Sequence, residues 1–191
     1  LSFEMTVPGS ELEFYRLQYQ GQIFYPLIKG LTLRLRTELG YGDSYGKTNT
    51  FPFYKHFYSG GFGSVRGYET NSLGPRATPA PGTTYIAFDP IGGNVLIEGG
   101  AEIIFRLPLV EDQRQIKSSV FFDAGNVFNT HCPKVSTVCH DLDSGELRYS
   151  VGLSLTWITG IAPFSFSLSW PINNKQGDDS QTFQFELGGA F

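Results

Sequence analysis

The residues of this sequence that could do metal or covalent chemistry are few, and most of them cluster: His131, Cys132, Cys139 and His140, with His56 far upstream. Two thiols and two imidazoles form a zinc-like donor set, yet structural zinc sites pair their ligands at spacings of roughly two to four residues. Here six residues separate the cysteines and each histidine abuts its own cysteine. The competing chemistry is a disulfide, which needs an oxidising compartment, so the choice depends on where the chain resides. Catalysis finds no footing. No serine stands in a nucleophile-elbow context, and the glycine-rich segment leads into no helix that could cradle a phosphate. Neither an enzyme, a cofactor nor a metal site is expected. Three charged residues remain of interest: Arg66, the one cation in the glycine-rich stretch 57–68 (FYSGGFGSVRGY), and the carboxylates Glu102 and Asp123, both set among apolar neighbours.

The elements that must position these residues are strands. Of 191 residues 40% are apolar and 15% aromatic, and 23 are glycine, with β-branched and aromatic residues in short bursts bounded by Gly, Pro, Asn and Asp. The net charge of -4, without a basic run, offers nucleic acid no footing as a partner. No stretch approaches the roughly 18 apolar residues of a membrane helix, and the opening LSFEMTV has neither the charged n-region nor the apolar h-region of a signal peptide. Period-two alternation, by contrast, recurs throughout. Tyr15, Leu17, Tyr19, Ile23 and Tyr25 oppose Arg16, Gln18, Gln20 and Gln22; Leu31, Leu33, Leu35 and Leu39 oppose Thr32, Arg34, Arg36 and Glu38. Val95, Ile97, Ile103 and Phe105 oppose Glu98 and Glu102, and Val120, Phe122 and Ala124 oppose Ser119 and Asp123. Leu153, Leu155 and Trp157 alternate with small polar residues, as do Phe164, Phe166, Leu168 and Trp170, and Phe183, Phe185, Leu187 and Phe191 alternate with Thr182, Gln184, Glu186 and Gly188. With a short opening strand carrying Phe3, Met5 and Val7, eight antiparallel strands are expected.

A soluble sandwich also alternates, its apolar face being a core. Three features favour a transmembrane β-barrel instead: strands of bilayer-crossing length, Tyr and Trp near strand ends, and short turns alternating with long loops. The short connections are 25–30, 108–114 and 159–163; the long ones are 42–93, 129–145 and 171–180. Short turns belong to the periplasmic side and long loops to the outside. This puts Phe191 at the periplasmic end, Glu102 and Asp123 on the inner face, and Cys132 and Cys139 in an extracellular loop.

The stretch 60–76 (GGFGSVRGYETNSLGPR) resembles the loop signature of the BamA family of outer-membrane protein assembly factors. The resemblance continues through IGGN at 91–94, FFDAGNVF at 121–128 and FQFELGGAF at 183–191, in the same order and across the whole chain. The tetrapeptide alone would indicate only the wider superfamily, which includes TamA-like factors and two-partner secretion transporters. The resemblance implies the C-terminal half of a sixteen-stranded barrel in the outer membrane of a Gram-negative bacterium, with the preceding strands and periplasmic POTRA domains outside residues 1–191. It implies a function in folding and inserting β-barrel clients, with unfolded outer-membrane proteins, the lipid bilayer and accessory Bam lipoproteins as partners. A translocation pore of the same superfamily is the alternative, and a passive porin a more distant one. The resemblance further implies that the loop motif Val65, Arg66, Gly67 and Tyr68 folds back into the barrel and that Arg66 pairs with Asp123 and Glu102. Without it, a flexible loop over a wet, charged lumen reads as well. The terminal strand, with Phe183, Phe185 and Phe191, resembles the signal the assembly machinery recognises. Gly188 matches the position where that strand kinks at the lateral seam, although a small residue in a crowded lumen explains it equally.

An extracellular loop faces an oxidising space, so Cys132 and Cys139 are expected to be joined. Closing so short a loop would contribute roughly 2 to 3 kcal/mol in the chain-entropy model. Mass measurement after alkylation without reductant should find no free thiol on either cysteine; two alkylated thiols would refute the disulfide.

Overall fold

The computed structural model describes residues 1–77, 89–107, 115–131, 142–175 and 177–188. Eight strands follow one another: β1 (Ser2–Met5), β2 (Phe14–Ile28), β3 (Leu31–Ser44), β4 (Val95–Phe105), β5 (Ile116–Phe128), β6 (Arg148–Ile158), β7 (Pro163–Pro171) and β8 (Phe183–Leu187). They form one sheet in which every strand pairs antiparallel with its sequence neighbours, β1 and β8 being the two edges. Antiparallel neighbours joined in order need no crossover, so short turns suffice on one side and the other side is free to carry loops. Phe191 and the Cys132 and Cys139 pair lie outside the described residues.

Several boundaries differ from expectation, each for a local reason. The connection expected at 25–30 is shorter, because β2 runs through Pro26 to Ile28 and a bulge between Pro26 and Ile28 absorbs the irregularity. The turn is therefore the tight Lys29 and Gly30 pair, with Gly30 at φ 87. At the other end β3 pairs through Ser44, so the long loop starts at Tyr45 rather than Gly42. The opening strand stops at Met5, short of Val7.

Register converts the alternation into two faces. Side chains opposite one another across the sheet share a face, so Gln22, Arg36, Gly100, Asp123 and Ser150 form one continuous inner row. A second inner row, toward the outer end, runs Gln20, Glu38, Glu98, Gly125 and Arg148. The opposite face carries the large apolar side chains and leaves them uncovered: Ile23, Leu35, Phe122, Leu153, Trp157, Leu168 and Trp170 are all exposed. Buried instead are Ser150, Ser154, Ser165, Ser167 and Ser169 on the inner face. This inverts the distribution of a water-soluble protein, and it is what lipid outside and a filled lumen inside require.

What fills the inner face is the loop between β3 and β4. Phe57 packs with Leu96 and Val127 from the wall. Val65, Tyr68 and Leu73 form a second cluster within the loop itself, and all three are essentially inaccessible. The apolar core of this chain is thus small and internal, lying between wall and loop.

Nitroxide labels at neighbouring positions test the two faces. In a bilayer, a label replacing Leu168 should be relaxed by dissolved oxygen, which concentrates in lipid, whereas one replacing Ser165 should not. Equal oxygen accessibility at both sites would show that the faces are assigned wrongly.

Candidate loop-anchoring site in the lumen

Strand β5 presents Asp123 to the lumen, and the loop brings Arg66 onto it. The guanidinium Nε donates to Oδ2 at 2.7 Å and an Nη donates to Oδ1 at 3.1 Å, while the Arg66 backbone N–H also faces Oδ2 at 3.3 Å. This is the two-pronged geometry that a planar guanidinium and a carboxylate favour. Arg66 is 5% exposed and Asp123 is completely enclosed. The guanidinium carbon also lies 3.4 Å from the centre of the Phe121 ring, on the same inner face. Glu102 is a more distant partner, with Oε1 at 3.7 Å from an Arg66 Nη. Its closer contacts are Arg34 at 3.2 Å and the Ser119 hydroxyl, which donates to it.

A second arginine completes the site. Arg36 on β3 reaches across β4 to place an Nη 3.1 Å from Asp123 Oδ1. Gly100 stands between them in the same row; a Cβ there would lie 2.6 Å from Asp123 Oδ1 and 2.8 Å from Arg36 Nε. The absent side chain is therefore what allows the pair to form. Arg36 also donates to the carbonyls of Gly63, at 2.8 Å, and Ser64. The Ser64 hydroxyl in turn donates to Glu98, a buried wall carboxylate. Three cations (Arg34, Arg36, Arg66) thus meet three carboxylates (Glu98, Glu102, Asp123) across the loop and wall.

The remaining motif residues explain how the backbone comes close enough. Gly67 has φ 92, a conformation in which a side chain is strained, and a Cβ on it would sit 3.1 Å from the Ser169 Cβ and 3.4 Å from that of Ser150. The small residues of β6 and β7 and the bare Gly67 fit together for this reason. Tyr68 is enclosed, with its hydroxyl directed at the Tyr149 carbonyl at 3.5 Å; burial, reinforced by the Asp178 charge, pushes its phenol up to about 12. From β8, the Gln184 amide donates to the Tyr68 carbonyl at 2.7 Å and accepts from the Gly67 N–H at 3.3 Å. Phe183 and Phe185 of the same strand face outward and are exposed. Gly188 follows the strand at φ 77.

Sequence reasoning named Arg66, Asp123 and Glu102, and the structure brings all three together. It missed Arg36, Glu98 and Gln184 as partners of the loop. Alternation put each of them on the inner face, but nothing in a single strand's pattern tells which inner polar residue the loop will reach.

An antiparallel meander with a lipid-type exterior, whose lumen holds a loop fixed by charged pairs, defines the class: part of an outer-membrane β-barrel with an internal loop. An Omp85 superfamily domain matches residues 1–191, and the chain belongs to that family. It is 37% identical over 204 aligned positions to the outer membrane protein assembly factor BamA of Neisseria meningitidis, covering 98% of this chain and 25% of that protein. The 50 kDa subunit of the sorting assembly machinery of Saccharomyces cerevisiae is 27% identical, with 84% of this chain and 32% of that protein covered. The chain thus spans between a quarter and a third of these curated relatives. The crystal structure of BamA from Haemophilus ducreyi lacking POTRA domains 1-3 superposes with a TM-score of 0.85 at 32% identity, over 96% of this chain and 36% of that one.

Two substitutions should differ in severity. Removing one member of a buried pair costs about 3 to 5 kcal/mol when the other is left uncompensated. Arg66→Ala leaves Asp123 paired with Arg36, so its cost should fall below that range, whereas Asp123→Ala leaves two guanidiniums facing each other and should reach it. Temperature-resolved gel shift of the folded barrel should rank Asp123→Ala below Arg66→Ala; the opposite order would mean that Arg36 does not compensate. A simple exchange of Arg66 and Asp123 is also expected to rescue poorly, because an arginine at position 123 would confront Arg36.

Proposed function

We propose that this chain is the C-terminal half of the barrel of an outer-membrane protein assembly factor in a Gram-negative bacterium, whose missing strands and POTRA domains lie outside residues 1–191. The factor helps unfolded β-barrel clients fold and insert, with the bilayer and accessory lipoproteins as its other partners. In lipid a strand edge with unpaired N–H and C=O groups is costly, and it is equally a template for an incoming strand. The terminal strand supplies that edge: β8 has five residues against fifteen in β2, and so few ladder bonds are readily exchanged. The work is hydrogen-bond exchange, without covalent catalysis. The Val65, Arg66, Gly67 and Tyr68 turn is an internal brace that keeps the barrel's shape while its seam is disturbed.

The observation that carries this reading against a passive porin is the enclosed Arg66 and Asp123 pair. A porin uses inner charges to select ions in an open channel; here a loop occupies the lumen and consumes those charges. Names of the relatives point the same way, one being an outer membrane protein assembly factor and another a subunit of a sorting assembly machinery.

Reconstitution tests it directly. Full-length protein in liposomes should accelerate folding of a β-barrel client at least several-fold over empty liposomes, and Arg66→Ala should remove most of that gain while still yielding a folded barrel. A steady open-channel conductance with no effect on client folding would establish the porin reading instead.

A further inference from the structure

We infer that Gln184 is a positioning residue through which the internal loop holds the terminal strand, so that β8 stays docked only while the loop is seated. The inference rests on the brace reading above and extends it to the seam. Its basis is an imbalance in what holds β8. Among the described residues its ladder to β7 has five register pairs, from Phe164↔Leu187 to Leu168↔Phe183, against eleven between β3 and β4. Its outward residues Phe183, Phe185 and Leu187 are exposed, so packing on that side is left to lipid.

The inward side is different. Gln184 is 4% exposed, and its amide spans two consecutive loop residues, donating to the Tyr68 carbonyl at 2.7 Å and accepting from the Gly67 N–H at 3.3 Å. A primary amide has both a donor and an acceptor in one plane, and both are used on loop backbone. Just before β8 the pairing continues between backbones. The Gln181 N–H donates to the Gly67 carbonyl at 2.9 Å and the Glu69 N–H to the Asp179 carbonyl at 2.8 Å, flanking an antiparallel bridge between Tyr68 and Ser180. Four hydrogen bonds therefore join loop residues 67–69 to the segment 179–184. Arg76 adds an ion pair to Asp179 at 2.9 Å.

Arg66, fixed to Asp123 on β5, is the residue before Gly67. The loop thus bridges β5 to β8 across β6 and β7 without relying on the sheet. If the loop leaves, the Gln184 amide loses both loop partners and keeps only a long contact to the Gln181 side chain at 3.5 Å. The strand is then held by little more than its ladder to β7. Coupling between two such sites is reciprocal, so a client strand that draws β8 away from its place also loosens the loop.

Hydrogen exchange of the full chain in phospholipid nanodiscs tests this, with β6 as an internal control. Gln184→Leu keeps the side chain's bulk and removes both hydrogen bonds, so amides in 183–187 should exchange faster by on the order of tenfold while those in 148–158 stay unchanged. Gln184→Glu, which retains the acceptor for Gly67 and loses the donor to Tyr68, should fall between wild type and Gln184→Leu and serves if the latter does not fold. A nitroxide at position 63, where an added Cβ would meet no neighbour within 4 Å, reports whether the loop is seated. Faster β8 exchange in the position 184 variants, and in Arg66→Ala with its loop released, supports the coupling. Wild-type β8 protection in Gln184→Leu, or in Arg66→Ala once the label shows a released loop, overturns it. An immobile label in Arg66→Ala would sink the brace reading separately, leaving the Gln184 variants to decide the role of Gln184.

Discussion

A backbone that crosses lipid must satisfy its own hydrogen bonds, because the hydrocarbon offers no partner for a free N–H or C=O. Most of what is seen in this chain follows from that constraint. The strands β2 to β6 are long, from eleven to fifteen residues, and β3 to β6 pair along most of their length with both neighbours. Side chains alternate, so the face turned to lipid is apolar and the polar residues have nowhere to go but inward. The charges that gather inside are then a problem of their own, since a lumen is a poorer solvent than bulk water.

The loop between β3 and β4 resolves this by bringing its own charge and backbone to the wall. Arg66 closes on Asp123, Arg36 closes on Asp123 and on the loop carbonyls of Gly63 and Ser64, and Ser64 serves Glu98. Asp123, Arg36 and Glu98 each find a partner on the loop or across the sheet, and the loop in turn is held. Buried ion pairs add less net stability than their Coulomb energy suggests, because desolvation opposes it. Their contribution is better described as specificity: a guanidinium clamped between Asp123 and the Phe121 ring permits one seating of the loop. Small residues on β6 and β7 and the bare Gly67 let that seating be close.

The same arrangement distributes stability unevenly. The middle of the sheet has long ladders, ion pairs and the loop packed against it, whereas β8 has five residues among those described. Regions with few buried contacts and short ladders open most readily. The ladder from β8 to β7 has five pairs among the described residues, so that strand has little to lose along the sheet. Contacts between the loop and 179–184 set how much it has to lose.

Eight strands, their order, their two faces and the inward direction of Glu102 and Asp123 could be read from the sequence because alternation is a local property, imposed on each strand separately by lipid on one side. The loop signature also named Arg66. What could not be read is a matter of three-dimensional meeting. The first connection read as 25–30, and only the pairing with β3 shows that β2 continues through Pro26 to Ile28 across a bulge. Arg36 looked like one of several inner cations, and only the register that puts Gly100 between it and Asp123 makes it a partner of that carboxylate. Gln184 was one polar residue among many on inner faces, and it became a contact of the loop only when the chain brought residue 184 within hydrogen-bond reach of residues 67 and 68. Face is decided by a residue's own strand; partner is decided by the register of its neighbours and the path of a distant loop, and those exist only in the folded chain.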